Sequence, residues 1–113
     1  MIFVFGPYAA GKRDYVMREF GYGLEDMTQS ISDRCPVLFE AQRLALLDLP
    51  MEEIVQKLIK KEVVIATETG CGVVPISKQE RDAREAAGRL CVMLAQRAKR
   101  VIRVWYGIAE VLK

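Results

Sequence analysis

Gly6-Pro7-Tyr8-Ala9-Ala10-Gly11-Lys12-Arg13 carries the spacing G-x-x-x-x-G-K, which suits phosphate. Glycines let the backbone curl so that successive N–H groups point at phosphate oxygens. A helix opening at Lys12 adds a favourable dipole. The ammonium of Lys12 would reach the β- and γ-phosphates. Gly6, Pro7, Tyr8, Ala9, Ala10, Gly11, Lys12 and Arg13 are therefore the candidate nucleotide-binding residues. The plainer alternative is a strand-to-helix turn that happens to contain two glycines. One departure stands out. Such loops end in Ser or Thr, whose hydroxyl ligates Mg²⁺, and here Arg13 follows the lysine. A guanidinium cannot ligate a cation. Either other ligands hold the metal, or Arg13 itself neutralises phosphate charge, or hydrolytic competence is lost.

Two carboxylates follow apolar runs. Glu40 ends Pro36-Val37-Leu38-Phe39, and Glu68 lies just beyond Glu62-Val63-Val64-Ile65-Ala66. In an open α/β sheet, ligands bind beyond the carboxyl ends of the strands. An acid at Glu40 can hold Mg²⁺ through water, or it can simply cap a helix. Glu68 can accept a proton from an attacking hydroxyl or meet a metal. Its plainer role is a carboxylate that accepts loop N–H groups. Gly70 and Gly72 allow positive φ or close backbone approach, or form an ordinary tight turn. Arg81 and Arg84 are candidates for phosphate or substrate contact from the helix that follows. Taken alone, each reads more readily as part of a solvated basic face. Cys71 has no basic neighbour in sequence to lower its pKa, so it reads as an unreactive thiol.

Composition removes several classes of chemistry. The chain has 113 residues and no histidine, so Ser-His-Asp and Cys-His catalysis and histidine-ligated metals are excluded within it. Seventeen Lys and Arg against fifteen Asp and Glu leave +2, too small an excess to suggest nucleic acid as a partner. Three cysteines without C-x-x-C spacing suggest reduced thiols. No apolar run approaches the ~20 residues that span a bilayer. Nothing frames Ile2–Phe5 as a signal peptide. The expectation is one cytoplasmic domain, 1–113, without membrane contact.

The elements that would position these groups alternate between strand and helix. Met1–Phe5 is apolar on both faces, as in a buried parallel strand. Lys12–Phe20 predicts a helix that stops at Gly21-Tyr22-Gly23. Residues 24–34 carry weak signals. Pro36–Glu40 predicts a second strand, and Ala41–Leu49 is helical or irregular. Pro50, Glu52 and Glu53 open a helix running to Lys61. Glu62–Ala66 predicts a third strand. Ser77 and Glu80 form a capping-box pattern before a helix over Lys78–Lys99. That helix buries Ala83, Ala87, Leu90, Leu94 and Ala98. Val101–Tyr106 predicts a fourth strand, broken at Gly107, and Ile108–Leu112 a final edge strand. Cys35, Cys91, Trp105 and Tyr106 are expected in the core, with a subunit contact as the alternative for the aromatics. The alternation predicts an α/β layered sheet.

Thr67-Glu68-Thr69-Gly70-Cys71-Gly72-Val73-Val74-Pro75, followed by Arg81, Arg84 and Gly88 and by a strand leading into Gly107-Ile108, resembles a known family. It is similar to the adenosylcobinamide kinase/adenosylcobinamide-phosphate guanylyltransferase family, whose pattern is a strand ending in Asn-Glu-x-Gly-x-Gly-x-Val-Pro. The resemblance covers residues 1 to about 20 and 62–113 well, and the middle loosely. It implies a P-loop NTPase (RecA-like), mostly parallel sheet flanked by helices, assembled as a homo-oligomer. It implies ATP or GTP as phosphate donor with Mg²⁺, and a corrinoid acceptor whose aminopropanol hydroxyl is phosphorylated. It casts Lys12 and Glu68 as catalytic residues and puts Glu40 where the family has a metal-binding aspartate. The departures are Arg13, Thr67 in place of Asn, Cys91-Val92 in place of an Asn-Gln pair, and the missing histidine. That histidine carries the nucleotidyl group in the family, so the guanylyltransferase step is expected to be absent. The expected function is phosphorylation of adenosylcobinamide or a similar alcohol. The rivals are a nucleotide-binding module without turnover and an oligomeric scaffold with a vestigial loop.

Overall fold

The computed structural model describes residues 1–69 and 77–113. Gly70, Cys71, Gly72, Val74 and Pro75, singled out above, lie outside the described residues. In chain order the elements are β1 (Ile2–Gly6), α1 (Lys12–Phe20), a 3-10 turn (Leu24–Asp26), β2 (Met27–Thr28), β3 (Val37–Leu38) and a 3-10 segment (Ala41–Leu46). Then come α2 (Met51–Leu58), β4 (Val63–Thr67), α3 (Lys78–Arg97), β5 (Arg100–Trp105) and β6 (Ile108–Val111). The six strands form one sheet in the order β2-β3-β4-β1-β5-β6. Every pairing is parallel except β5 with β6. The protein is thus a mixed α/β structure with a mostly parallel sheet flanked by helices.

Strand β1 lies between β4 and β5, and alternate residues feed two separate cores. Phe3 joins Leu38, Val64, Ala66 and Val101 against Ile54, Val55, Leu58, Leu90 and Leu94 of α2 and α3. Val4 joins Val37, Val63, Ile65, Ile102 and Val104 against Val16 of α1. A strand covered on both faces needs the unbroken apolar run that Ile2–Phe5 supplies.

The helix ends follow their local signals. Gly21 adopts φ 79° and donates its N–H to the Met17 carbonyl at 3.0 Å, closing α1. The Ser77 hydroxyl accepts the Glu80 N–H at 3.1 Å, opening α3. Between β5 and β6, Tyr106 and Gly107 adopt φ 51° and 72°. Two successive positive φ values are the requirement of a tight primed hairpin turn, and they reverse the chain into the antiparallel edge strand.

Several expectations need correction. β2 has two residues, too few to show a period in sequence. Helix α2 ends at Leu58 and α3 at Arg97, both earlier than predicted. Ala83 is half-buried because α3 begins outside the core and becomes covered only from Ala87 onward. Trp105 and Tyr106 are not core residues. Tyr106 sits at the hairpin tip, and Trp105 stacks beside it with centroids 6.5 Å apart. Cys35 is half-exposed in the loop before β3, while Cys91 packs against the main core. Burial pushes the Cys91 thiol up to about 11, which makes it an inert thiol at neutral pH.

Candidate functional site

The parallel register brings the ends of β1, β3 and β4 to one edge of the sheet. Gly6 lies opposite Thr67, and Leu38 opposite Val64. The segments leaving these three ends carry the loop, Glu40 and Glu68. The sheet thus gathers residues that are far apart in sequence, as the parallel topology requires.

Gly6 must be glycine because a Cβ there would collide with the carbonyl oxygen of Val104 on β5. Ala9 and Gly11 take φ 57° and 86°, so the loop curls through left-handed conformations before α1 begins. The Gly107 N–H donates to the Ala10 carbonyl at 2.9 Å. The β5–β6 turn therefore buttresses the loop from behind. That contact depends on a hairpin about a hundred residues away in the chain, and only the parallel neighbourhood of β1 and β5 makes it possible.

Lys12 opens α1 and is 7% exposed. Its Nζ donates to the Pro7 carbonyl at 2.7 Å, folding the side chain back over its own loop. Burial lowers its pKa, Arg13 adds to that effect, and the carboxylates of Glu40 and Glu68 oppose it. Glu40 adopts φ 56° just past β3. Its carboxylate accepts the Thr67 hydroxyl at 2.8 Å and the Gln42 amide at 2.8 Å, with Arg43 at 3.7 Å. The Gln42 side-chain oxygen in turn accepts the Thr67 N–H at 2.9 Å. Burial alone would raise the Glu40 pKa. The two hydrogen bonds and the charges of Arg43 and Lys12 outweigh it and hold the carboxyl below its ordinary value.

A cleft of about 360 Å³ opens at this edge. Its walls include Tyr8, Gly11, Lys12, Arg13, Phe39 and Glu40, with Ile65 and Thr67 at the back. The Arg13 guanidinium lies 4.9 Å from the centroid of the Phe39 ring. Tyr8 is 87% exposed at the rim, free to lie against a ligand. A buried ammonium and a guanidinium at the mouth of a glycine loop form an arrangement that can hold an oligophosphate.

Glu68 and the two helix arginines do not line this cleft. The Glu68 N–H donates to the Gly6 carbonyl at 2.8 Å. Its carboxylate accepts Arg103 Nε at 2.7 Å and Nη2 at 3.2 Å, and Arg103 also stacks 4.2 Å from the Trp105 ring. Arg81 and Arg84 border a separate shallow depression with Thr69 and Glu85. Sequence reasoning missed Gln42, Phe39 and Arg103. A lone arginine inside Val101-Ile102-Arg103-Val104 was a visible signal for the last. Nothing in sequence flagged the other two.

Among the described residues, no three His, Cys, Asp or Glu converge as a metal cage. Mg²⁺ needs none, since it keeps several waters and takes one or two carboxylates plus substrate phosphates. Both Glu40 oxygens already accept protein hydrogen bonds, so a hydrated Mg²⁺ would meet this carboxylate through water rather than directly.

A model of the cobinamide kinase / cobinamide phosphate guanyltransferase family matches residues 25–112. The chain belongs to this family. Membership of the cobinamide kinase / guanyltransferase family ties the chain to cobalamin biosynthesis, with nucleotide and corrinoid as the chemistry's partners. The matched span runs from the turn before β2 to the end of β6. It includes Glu40, Thr67, Glu68, Arg81, Arg84 and Arg103, and it begins beyond the Gly6–Arg13 loop. None of the curated proteins compared with the chain matches it. No helix among the described residues is long and apolar enough to cross a membrane.

Proposed function

We propose that residues 1–113 form one P-loop NTPase domain of RecA-like type. It binds ATP or GTP with Mg²⁺ and phosphorylates the hydroxyl of adenosylcobinamide or a similar alcohol, without the guanylyltransferase step. The observation that carries this reading is Lys12, buried at the base of a glycine loop and facing the cleft beside Glu40. Phosphoryl transfer asks little covalent chemistry of a protein. It asks for positioning and charge neutralisation. Gly6–Arg13 would cradle the phosphates with backbone N–H groups. Lys12 would leave the Pro7 carbonyl for a phosphate oxygen, exchanging a neutral acceptor for an anionic one. Glu40 would hold the waters of Mg²⁺, which when bound supplies charge neutralisation between the phosphates. Glu68, Arg81 and Arg84 would serve the acceptor side, with Glu68 taking the hydroxyl proton. For that step Arg103 must release or share the carboxylate. The absence of histidine from the chain supports omission of the nucleotidyl-transfer step. Self-association belongs to the same reading, supported by exposed Ile108 and Val111 on the edge strand β6.

Two observations favour a second reading, a nucleotide-binding module without turnover. Arg13 replaces the metal-ligating hydroxyl, and Arg103 occupies both oxygens of Glu68. Calorimetric titration with Mg-ATP and Mg-GTP tests the shared part. Binding that Lys12→Ala removes supports the loop as a nucleotide site, and no binding by the folded wild type overturns both readings. Phosphate transfer to adenosylcobinamide then separates kinase from silent binder.

A further inference from the structure

Arg13 has more than an unusual identity. The fold gives it a defined seat. It comes from the first turn of α1, and Phe39 comes from the end of β3 across the cleft. Stacking on an aromatic ring occupies a face of the guanidinium and leaves its in-plane N–H donors available. Those donors suit phosphate oxygens in a bidentate manner. Arg13 is adjacent to Lys12 and lines the same cleft, so the two cations flank the place a triphosphate would take. Asp14 and Glu40 are the carboxylates that line that cleft, and Thr67 and Gln42 already donate to the two oxygens of Glu40.

We propose that Arg13, seated on Phe39, supplies charge neutralisation that a divalent cation ordinarily provides, so that the chain binds free nucleoside triphosphate nearly as tightly as its Mg²⁺ complex. The inference rests on the nucleotide-binding reading above. Two effects act in the same direction. Arg13 removes a hydroxyl that would tether the metal to the loop. It also adds a fixed positive charge to the cleft that Glu40 lines, and like charges sharing one cleft repel. Metal then reaches the site only with the nucleotide, through water at Glu40, and contributes less to affinity.

The test is calorimetric titration of wild type, Arg13→Gln and Arg13→Ser with ATP and GTP, once in excess EDTA and once in excess Mg²⁺. Arg13 is exposed, so both variants should fold, and circular dichroism checks that they do. Wild-type affinities with and without metal should agree within about threefold. Arg13→Gln should lose about tenfold for free nucleotide, the scale of one charge-assisted contact. Arg13→Ser regains the hydroxyl and should prefer the Mg²⁺ complex by about tenfold. A wild type that requires Mg²⁺, or an Arg13→Gln protein that binds free nucleotide as well as wild type does, overturns the role of Arg13 and leaves the nucleotide site standing. No binding by any protein in either condition overturns the nucleotide reading and this inference together.

Discussion

Arg103 reaches across the end of β1 to hold both carboxylate oxygens of Glu68, at 2.7 and 3.2 Å. β1 separates their two strands in the sheet, so the pair spans two inter-strand spacings, about 10 Å. Only a long side chain meeting a residue just past a strand end can do this. Trp105 supports the guanidinium from one face. The pair straps the point where β1 feeds the glycine loop, and the Glu68 N–H bond to Gly6 reinforces it.

The strap should contribute measurably to stability. Arg103→Ala and Glu68→Ala should each destabilise the protein by about 1–3 kcal/mol, because each leaves a half-buried charge without its bidentate partner. Urea denaturation of both single variants and the double variant should yield a coupling of about 1–2 kcal/mol. Strict additivity of the two would show that the pair is a geometric coincidence.

Lys12 predicts how nucleotide affinity depends on pH. Burial leads the causes that lower its pKa from 10.5, so it loses its charge earlier than an ordinary lysine as pH rises. Affinity for a triphosphate should therefore fall in a pH range below 10.5. Folding stability should move the other way there. The unfolded chain keeps a proton that the folded lysine has released, so stability rises with pH between the lowered value and 10.5. Lys12→Met should remove both effects, as titrations and melts at several alkaline pH values would reveal.

Glu40 should govern part of the acid limb. Its folded pKa lies below the ordinary 4.5, so its contribution is complete above 4.5 and is lost as pH falls through the lowered value. Glu40→Gln should cost about 0.5–1.5 kcal/mol at neutral pH. The gap from wild type should close toward acid. A gap that stays constant down to the lowest pH would mean that the carboxylate's charge is irrelevant to folding.

Gly6 tests the loop's anchorage. Gly6→Ala drives a methyl into the Val104 carbonyl, and backbone on both sides leaves little room to yield. The expected cost is about 1–3 kcal/mol, the range for overpacking a close contact. Thermal melts should show it, and nucleotide titration should show weakened binding because the loop's first residue has moved. A melt unchanged from wild type would mean that β1 and β5 can part locally without penalty.

The Gly-x4-Gly-Lys loop, the helix it opens, the Gly21 stop and the Ser77 cap were all legible in the amino-acid order. Each depends on atoms within one or two turns of chain. The apolar runs of β1, β3 and β4 were legible because a strand buried on both faces must be apolar throughout. Their arrival at one edge followed from parallel topology. What only the tertiary structure decided is which polar groups meet there. Thr67 bonds Glu40 across 27 positions, and Arg103 bonds Glu68 across 35. Gly107 supports Ala10 from the far end of the chain. Strand order and register set those encounters, and no local period encodes them. Composition could establish that histidine chemistry is absent from this chain. That Glu68 is strapped by Arg103, and Arg13 seated on Phe39, depends on how the sheet brings distant side chains within a few ångströms.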